Sequence, residues 1–210
     1  VPNQGGTFQN TGAFATLDAD GAITTWGDGA AGGTGAPTGT GFTQLFSNPR
    51  AFAALKSNGS ITTWGDGAAG GTGAPAGTGF TQLFSNGRAF AALQADGSIT
   101  TWGDGSVGGT GAPTSTGFTQ IFANPGAFTA MKADGSLTSW GNASAGGTGA
   151  PTDTGFTHVF STDGAFAALD ADGHISVWGD GSFGGTGAPR TREARSSSVT
   201  HPRRRSIRAA

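Results

Sequence analysis

The sequence predicts an all-β repeat protein, and three observations predict it. A fifteen-residue stretch returns every 38 residues: AFATLDADGAITTWG at 13–27, AFAALKSNGSITTWG at 51–65, AFAALQADGSITTWG at 89–103, AFTAMKADGSLTSWG at 127–141 and AFAALDADGHISVWG at 165–179. Trp26, Trp64, Trp102, Trp140 and Trp178 mark the same place in each copy. A period of about 20–50 residues belongs to solenoids, propellers and arrays, whose units cannot bury their apolar faces alone. Within each copy short apolar runs are separated by Asn-Gly or Asp-Gly turns. No useful stretch shows a 3.6-residue period, so helix should be nearly absent. Finally, the 41 glycines of the chain fall at fixed places between the apolar runs, where they read as turns.

Taken in order, residues 1–12 hold the end of a degenerate first unit. Phe8 is in register with Phe46, Phe84, Phe122 and Phe160, but the GFTQ run that precedes the later phenylalanines is missing. Complete units follow at 41–78, 79–116 and 117–154, between an incomplete 3–40 and a last unit at 155–189. Each complete unit predicts three short strands. The first is Phe42–Ser47, with Phe42, Gln44 and Phe46 on one face and Thr43 and Leu45 on the other. After a turn at Asn48-Pro49-Arg50 comes Ala51–Lys56, with Ala51, Ala53 and Leu55 opposing Phe52 and Ala54. Ser57-Asn58-Gly59 is a hairpin turn, because Asn-Gly supplies the positive φ a tight hairpin needs. The third strand, Ser60–Gly65, is rich in β-branched residues and ends on Trp64. Apolar groups on both faces imply sheets stacked face to face, with the small alanines leaving room for rings of the neighbouring unit. Asp66–Thr78 is too glycine-rich for a strand and reads as the connection.

Charge divides the chain. Residues 1–189 carry four basic groups (Arg50, Lys56, Arg88, Lys132) against twelve aspartates, a net −8. Residues 190–210 carry seven arginines against Glu193, a net +6. The acidic body has no basic stripe for a phosphate backbone, so nucleic acid is not an expected partner of the repeat. The 190–210 segment reads as a disordered Arg/Ser tail or a non-native segment, with an arm for anionic surfaces as the alternative. With no Cys in the chain, disulfides and thiolate metal sites are excluded. No apolar run approaches the ~20 residues of a helical membrane span. The start at Val1 suggests a fragment or processed form. The acidic, Thr/Gly-rich, Cys-free body points to an extracellular or cell-surface location.

The unit GFTQLFSNPR-AFAALKSNGSITTWGDGAAGG, followed by GAP, resembles the repeat of the regulator-of-chromosome-condensation superfamily. At 38 residues it is similar to the shorter, three-stranded units of propeller-type β-lactamase inhibitor proteins. The resemblance covers 13–189 and implies a β-propeller, or an open arc of one, with about five three-stranded blades. That family closes seven blades, which would take about 266 residues at this period, so an arc or a poorly closed ring is expected. The inhibitors carry aromatics at the turn matching Arg50, where this chain has Gly12, Arg50, Arg88, Gly126 and Gly164. Neither β-lactamase inhibition nor nucleotide exchange is therefore implied.

Because strand direction alternates, the Asn48–Arg50 turn and the Asp66–Gly71 loop should emerge on one face, and the Ser57–Gly59 turn on the other. The first face collects Arg50, Arg88, Asp28, Asp66, Asp104, Asn142, Asp180, Val107 and Phe183, the last in place of Ala69. Loops on a rigid scaffold are where binding normally lives, so these are the candidate binding residues. The plainer role for the Asp after each Trp-Gly is to cap a turn. Asp18/Asp20 and Asp170/Asp172 echo a Ca²⁺ loop but lack its later oxygen ligands, so hairpin turns are expected and no metal. The tryptophans read as inter-blade core rather than sugar platforms. His158 and His174 are isolated and should face solvent. No G-x-S-x-G elbow or acid–base set appears, so no catalytic residue and no cofactor is expected. The function these features favour is a non-enzymatic propeller binding a protein partner. The alternatives are a multivalent carbohydrate binder, or a structural surface or filament element whose open ends stack.

Overall fold

The computed structural model describes residues 8–188, and the 190–210 segment lies outside the described residues. The described chain is all-β. An opening hairpin, β1 (Ala13–Leu17) and β2 (Ile23–Gly27), is followed by four three-stranded sheets: β3 (Phe42–Ser47), β4 (Ala51–Lys56) and β5 (Ile61–Gly65); β6 (Phe80–Ser85), β7 (Ala89–Gln94) and β8 (Ile99–Gly103); β9 (Phe118–Asn124), β10 (Ala127–Lys132) and β11 (Leu137–Gly141); β12 (Phe156–Ser161), β13 (Ala165–Asp170) and β14 (Ile175–Gly179). Each sheet is antiparallel with the chain's middle strand in its centre. Among the described residues no strand pairs from one unit to the next, as it would in a coil. The inner strands β3, β6, β9 and β12 lean on one another in sequence, so the sheets form the consecutive blades of a propeller arc.

The predicted hairpins form in register. Phe52 lies opposite Trp64 and Leu55 opposite Ile61, and the same pairing recurs in every blade. Asn58 Oδ1 accepts from Ser60 N at 3.0 Å across the tight turn, and Gly59 takes the expected positive φ of 79°. Strand alternation fails in one place. The register shifts between Phe42 and Gln44, so Phe42 and Leu45 share the face predicted to separate them. The bulge turns Thr43 to bond the Leu55 carbonyl at 3.1 Å, and Thr81, Thr119 and Thr157 repeat this bond. The predicted connection also holds structure of its own. Gly67–Ala69 is one turn of 3₁₀ helix, and equivalent turns stand at Gly29–Ala31, Gly105–Val107, Ala143–Ala145 and Gly181–Phe183.

The core lies between blades. Ala51, Ala53, Leu55, Ile61 and Ala69 of one blade enclose Phe80, Leu83, Phe90, Ala92 and Trp102 of the next. The alternation of alanine and ring predicted for these strands is thus the packing rule of the interface. Phe90 and Trp102 stack with centroids 5.5 Å apart, and the other blades repeat the stack. Each buried indole then reaches back one blade: Trp64 to the Gly32 carbonyl, Trp102 to Gly70, Trp140 to Gly108 and Trp178 to Gly146, all at 3.1 Å.

Candidate interaction face

The two loops predicted to share a face are fastened together by a buried amide. Asn86 is fully buried; its Nδ2 donates to the Val107 carbonyl at 2.5 Å, and its Oδ1 accepts from Arg88 N and Ala89 N at 3.0 and 2.8 Å. Asn48 and Asn124 do the same toward Ala69 and Ala145, and Asn10 toward Ala31. In the last blade the position is Thr162, whose Oγ1 donates to the Phe183 carbonyl at 2.9 Å. Sequence reading took Asn48 as a turn residue and missed this role, although its recurrence at period 38 was the available signal. The loops of neighbouring blades are also joined, Thr11 N donating to Pro49 O at 3.0 Å and Gly87 N to Pro125 O at 3.2 Å.

On this braced floor sit the candidate residues. Arg50 Nε meets Asp66 Oδ2 at 2.7 Å and Arg88 Nε meets Asp104 Oδ2 at 3.1 Å. Both arginines are about half exposed, so the pairs are presented to solvent and each contributes little to stability. The Arg50 guanidinium holds the Asp66 carboxyl below its ordinary pKa. Asp104 is lowered too, first by the Ser106 hydroxyl and amide and only then by Arg88. Ser106 Oγ donates to Asp104 Oδ1 at 2.6 Å, shorter than the arginine contact, which accounts for that order.

The capping role also holds at every copy. Asp28, Asp66, Asp104, Asn142 and Asp180 each accept the amide two residues on, at 2.8–2.9 Å, and so cap the 3₁₀ turn. Asn142 shows that the cap needs an oxygen rather than a charge. Phe183 is half exposed, and its ring folds over Gly164, where any β-carbon would lie 2.8 Å from Phe183 Cδ2. Blades with arginine at that turn position carry an ion pair there instead.

At the inner rim of the same face is a cleft of about 240 Å³ lined by Phe8, Ala123, Asn124, Pro125, Ser161, Thr162 and Asp163. The carbonyl of Phe8 accepts from Ser47 Oγ at 2.9 Å. The register predicted Phe8 as an inner-strand residue; it lies outside any strand.

The remaining candidates are ordinary turn and surface groups. Asp18 Oδ1 accepts from Asp20 N and Ala22 N, and Asp170 Oδ1 from Asp172 N and His174 N, which is the geometry of closed hairpin turns. His174 Nδ1 meets Asp170 Oδ2 at 2.9 Å, and both His158 and His174 are exposed. Four tryptophans are buried between blades as predicted, and Trp26 is half exposed.

Several solved structures share this fold. The ectodomain of the receptor kinase CR4 from Physcomitrella patens superposes with a TM-score of 0.59 at 20% identity, over 82% of this chain and 49% of that one. The CRINKLY ectodomain of Arabidopsis thaliana ACR4 gives 0.57 at 18% identity, over 81% and 61%. Saccharomyces cerevisiae Prp20p, described with its binding to Gsp1p and histones, gives 0.55 at 15% identity, over 82% and 56%. Prp20 is yeast RCC1. The blade fold is RCC1-like. The chain spans between 49% and 61% of the length of these three proteins. No family model matches the sequence, and comparison with curated proteins finds no match.

Proposed function

We propose that this RCC1-like arc is a non-enzymatic binding module that presents its braced loop face to a protein partner. The observation that carries the reading is the pairing of rigid loop backbone with exposed, varied side chains. Asn86 and its equivalents immobilise the loops, while the outermost positions change from blade to blade: Arg50–Asp66 and Arg88–Asp104 pairs, then Gly126 with Asn142, then Gly164 beneath Phe183. Loops ordered before binding cost less entropy on association, and a face that carries both arginines and an exposed aromatic has the composition of an interface. Prp20p, an RCC1-like propeller, binds Gsp1p and histones, which supports a protein rather than a small molecule as ligand. Burial of four of the five tryptophans leaves little for sugars to stack on, which favours a protein over a glycan.

The test is selection of binders from a displayed protein-fragment library on the full chain, followed by affinity measurement on two variants. R50S/R88S/D66N/D104N removes both ion pairs of the face while keeping the caps, as Asn142 does natively. K56S/K132S alters the opposite, hairpin-turn face. Binders weakened at least about tenfold by the first variant and unaffected by the second support the reading. Binders indifferent to the first, or a glycan-array signal without protein binders, overturn it.

A further inference from the structure

Two of the chain's asparagines are followed by glycine: Asn58, at the hairpin tip between β4 and β5, and Asn86, the bracing residue after β6. Before glycine, an asparagine side chain can be lost to its own backbone. The next residue's amide nitrogen loses its proton and attacks Cγ, the new C–N bond closes a succinimide, and Nδ2 leaves as ammonia. Water then opens the ring, at Cγ to give aspartate or at the main-chain carbonyl to give isoaspartate. Glycine permits the closure because no side chain crowds the attacking nitrogen.

The two sites have opposite surroundings. Asn86 is fully buried, both polar atoms of its side chain are bonded, and the Gly87 nitrogen that would attack donates to Pro125 O at 3.2 Å. Asn58 is exposed; its Nδ2, the leaving group, has no acceptor among the described residues, and its Oδ1 takes only Ser60 N, at 3.0 Å. Asn48 and Asn124 precede prolines, which have no N–H to attack with. Asn142 is exposed but precedes Ala143, whose methyl group hinders the closure.

The glycine at this tip is fixed by packing. Gly59 has φ 79°, and a β-carbon there would lie 2.5 Å from Gly79 N. The tip is also tied to the next blade, Gly79 N donating to Asn58 O at 3.1 Å and Phe80 N to Gly59 O at 3.2 Å. Asp20-Gly21 and Asp96-Gly97 tie their own neighbours in the same way. Those copies, like Asp134 and Asp172, carry a carboxylate, whose charge makes it a poor electrophile. Asn58 alone at this position carries the reactive amide.

We infer that Asn58 is a site of spontaneous deamidation, gated by the tie between its hairpin tip and the next blade. Gly59 is buried under that tie and its nitrogen donates to Lys56 O at 2.9 Å, so it reaches Cγ only when the tip lifts from Gly79 and Phe80. Opening these three bonds slows the reaction by about 30–150-fold against a free peptide. The two products then differ in consequence. Aspartate restores the residue of the other copies and leaves the tie intact. Isoaspartate runs the main chain through Cβ and Cγ, which lengthens the tip by one carbon and turns the carbonyl that held Gly79 N into a pendant carboxylate. The tip no longer seats, and the junction between the two blades is loosened.

The test ages the full 210-residue chain at mildly alkaline pH beside the free peptide ALKSNGSIT. The interval is about 150 half-lives of the peptide, the upper end of the expected slowing. Chymotryptic mass mapping should then find at least about half of Asn58 converted, with Asn86 and Asn142 behind it. Labelling by an isoaspartyl methyltransferase gives the isoaspartate share. Thermal melting of the aged chain should show a lower-melting fraction that matches this share. N58D, which carries the aspartate of the other blades, should melt like fresh wild type before and after the same interval. An intact Asn58, or earlier conversion of Asn86 or Asn142, overturns the proposal. Conversion as fast as in the free peptide also overturns it, because the tie would then gate nothing. So does isoaspartate at Asn58 without a lower-melting fraction.

Discussion

The indole nitrogen of Trp102 donates to the carbonyl of Gly70, 32 residues earlier and one blade back, at 3.1 Å. The bond joins the last strand of one blade to the turn that closes the blade before it, so it couples neighbours that share no strand pairing. Trp102→Phe would keep much of the ring stack on Phe90 but leave the Gly70 carbonyl without its donor, beside a small void. The expected loss is about 2–4 kcal/mol. Trp26→Phe, at the same repeat position but half exposed and without an acceptor among the described residues, should stay within about 0.5 kcal/mol. Urea unfolding of the two variants measures the difference.

Gly70 answers the same contact from the other side. Its φ is 90°, and a β-carbon there would sit 2.7 Å from the buried Phe90 ring. Gly70→Ala combines the left-handed penalty with a clash the packed ring cannot relieve, and should cost at least about 3 kcal/mol. Gly184→Ala has the same backbone strain with open space around it, and should cost about 1–2 kcal/mol. Equal losses in a thermal melt would mean that strain alone, not the blade contact, selects glycine here.

Much of this was legible in the sequence, for a physical reason. Strands, hairpin turns and the alanine–ring alternation depend on neighbours a few residues away or one period away, so the pattern around Ala51–Gly65 states them directly. The bulge beside Thr43 was not legible, because a threonine in a strand bears no mark of where its hydroxyl goes. The role of Asn48 was hidden too: its acceptor is the Ala69 carbonyl, 21 residues on, and Asn-Pro reads as a turn whether or not the amide is buried. The neighbourhood of the Asn48–Arg50 turn and the Asp66–Gly71 loop was legible from strand alternation, and Arg50 meets Asp66 at 2.7 Å. That each Asp both caps a turn and faces outward required coordinates to see. The exposure of Phe14 and Trp26 is invisible in letters identical to those of buried copies; it comes from position in the array.

Asn86 carries three hydrogen bonds in a site without water-facing surface, so its truncation strands several partners at once. Asn86→Ala leaves the Val107 carbonyl and the Arg88 and Ala89 amides unpaired, with an expected cost of about 2–4 kcal/mol. Asn86→Thr should recover part of this, because Thr162 bonds the equivalent carbonyl in the last blade. If alanine and threonine prove equally destabilising by urea titration, the amide acts by shape and not through these bonds.

The Arg50–Asp66 pair makes acid stability a site-resolved question. Asp66 is depressed below its ordinary value of 3.8, first by the Arg50 hydrogen bond, so the folded state favours its charged form. A carboxylate depressed on folding stabilises above the unfolded pKa, and that contribution fades as pH falls through the lower folded value. Asp104, lowered by Ser106, behaves alike. The Tm should therefore be flat from neutral pH to about 5 and decline below about 4. Asp66→Asn with Asp104→Asn keeps both caps, as Asn142 does in its own blade, and should cost no more than about 1 kcal/mol per site at pH 7. The double variant should lose less Tm than wild type between pH 5 and pH 3. Asp66→Ala removes the cap as well and should cost about 0.5–2 kcal/mol at either pH. Were the asparagine variant to lose as much as alanine at neutral pH, the charge, rather than the oxygen that closes the turn, would be what holds this loop.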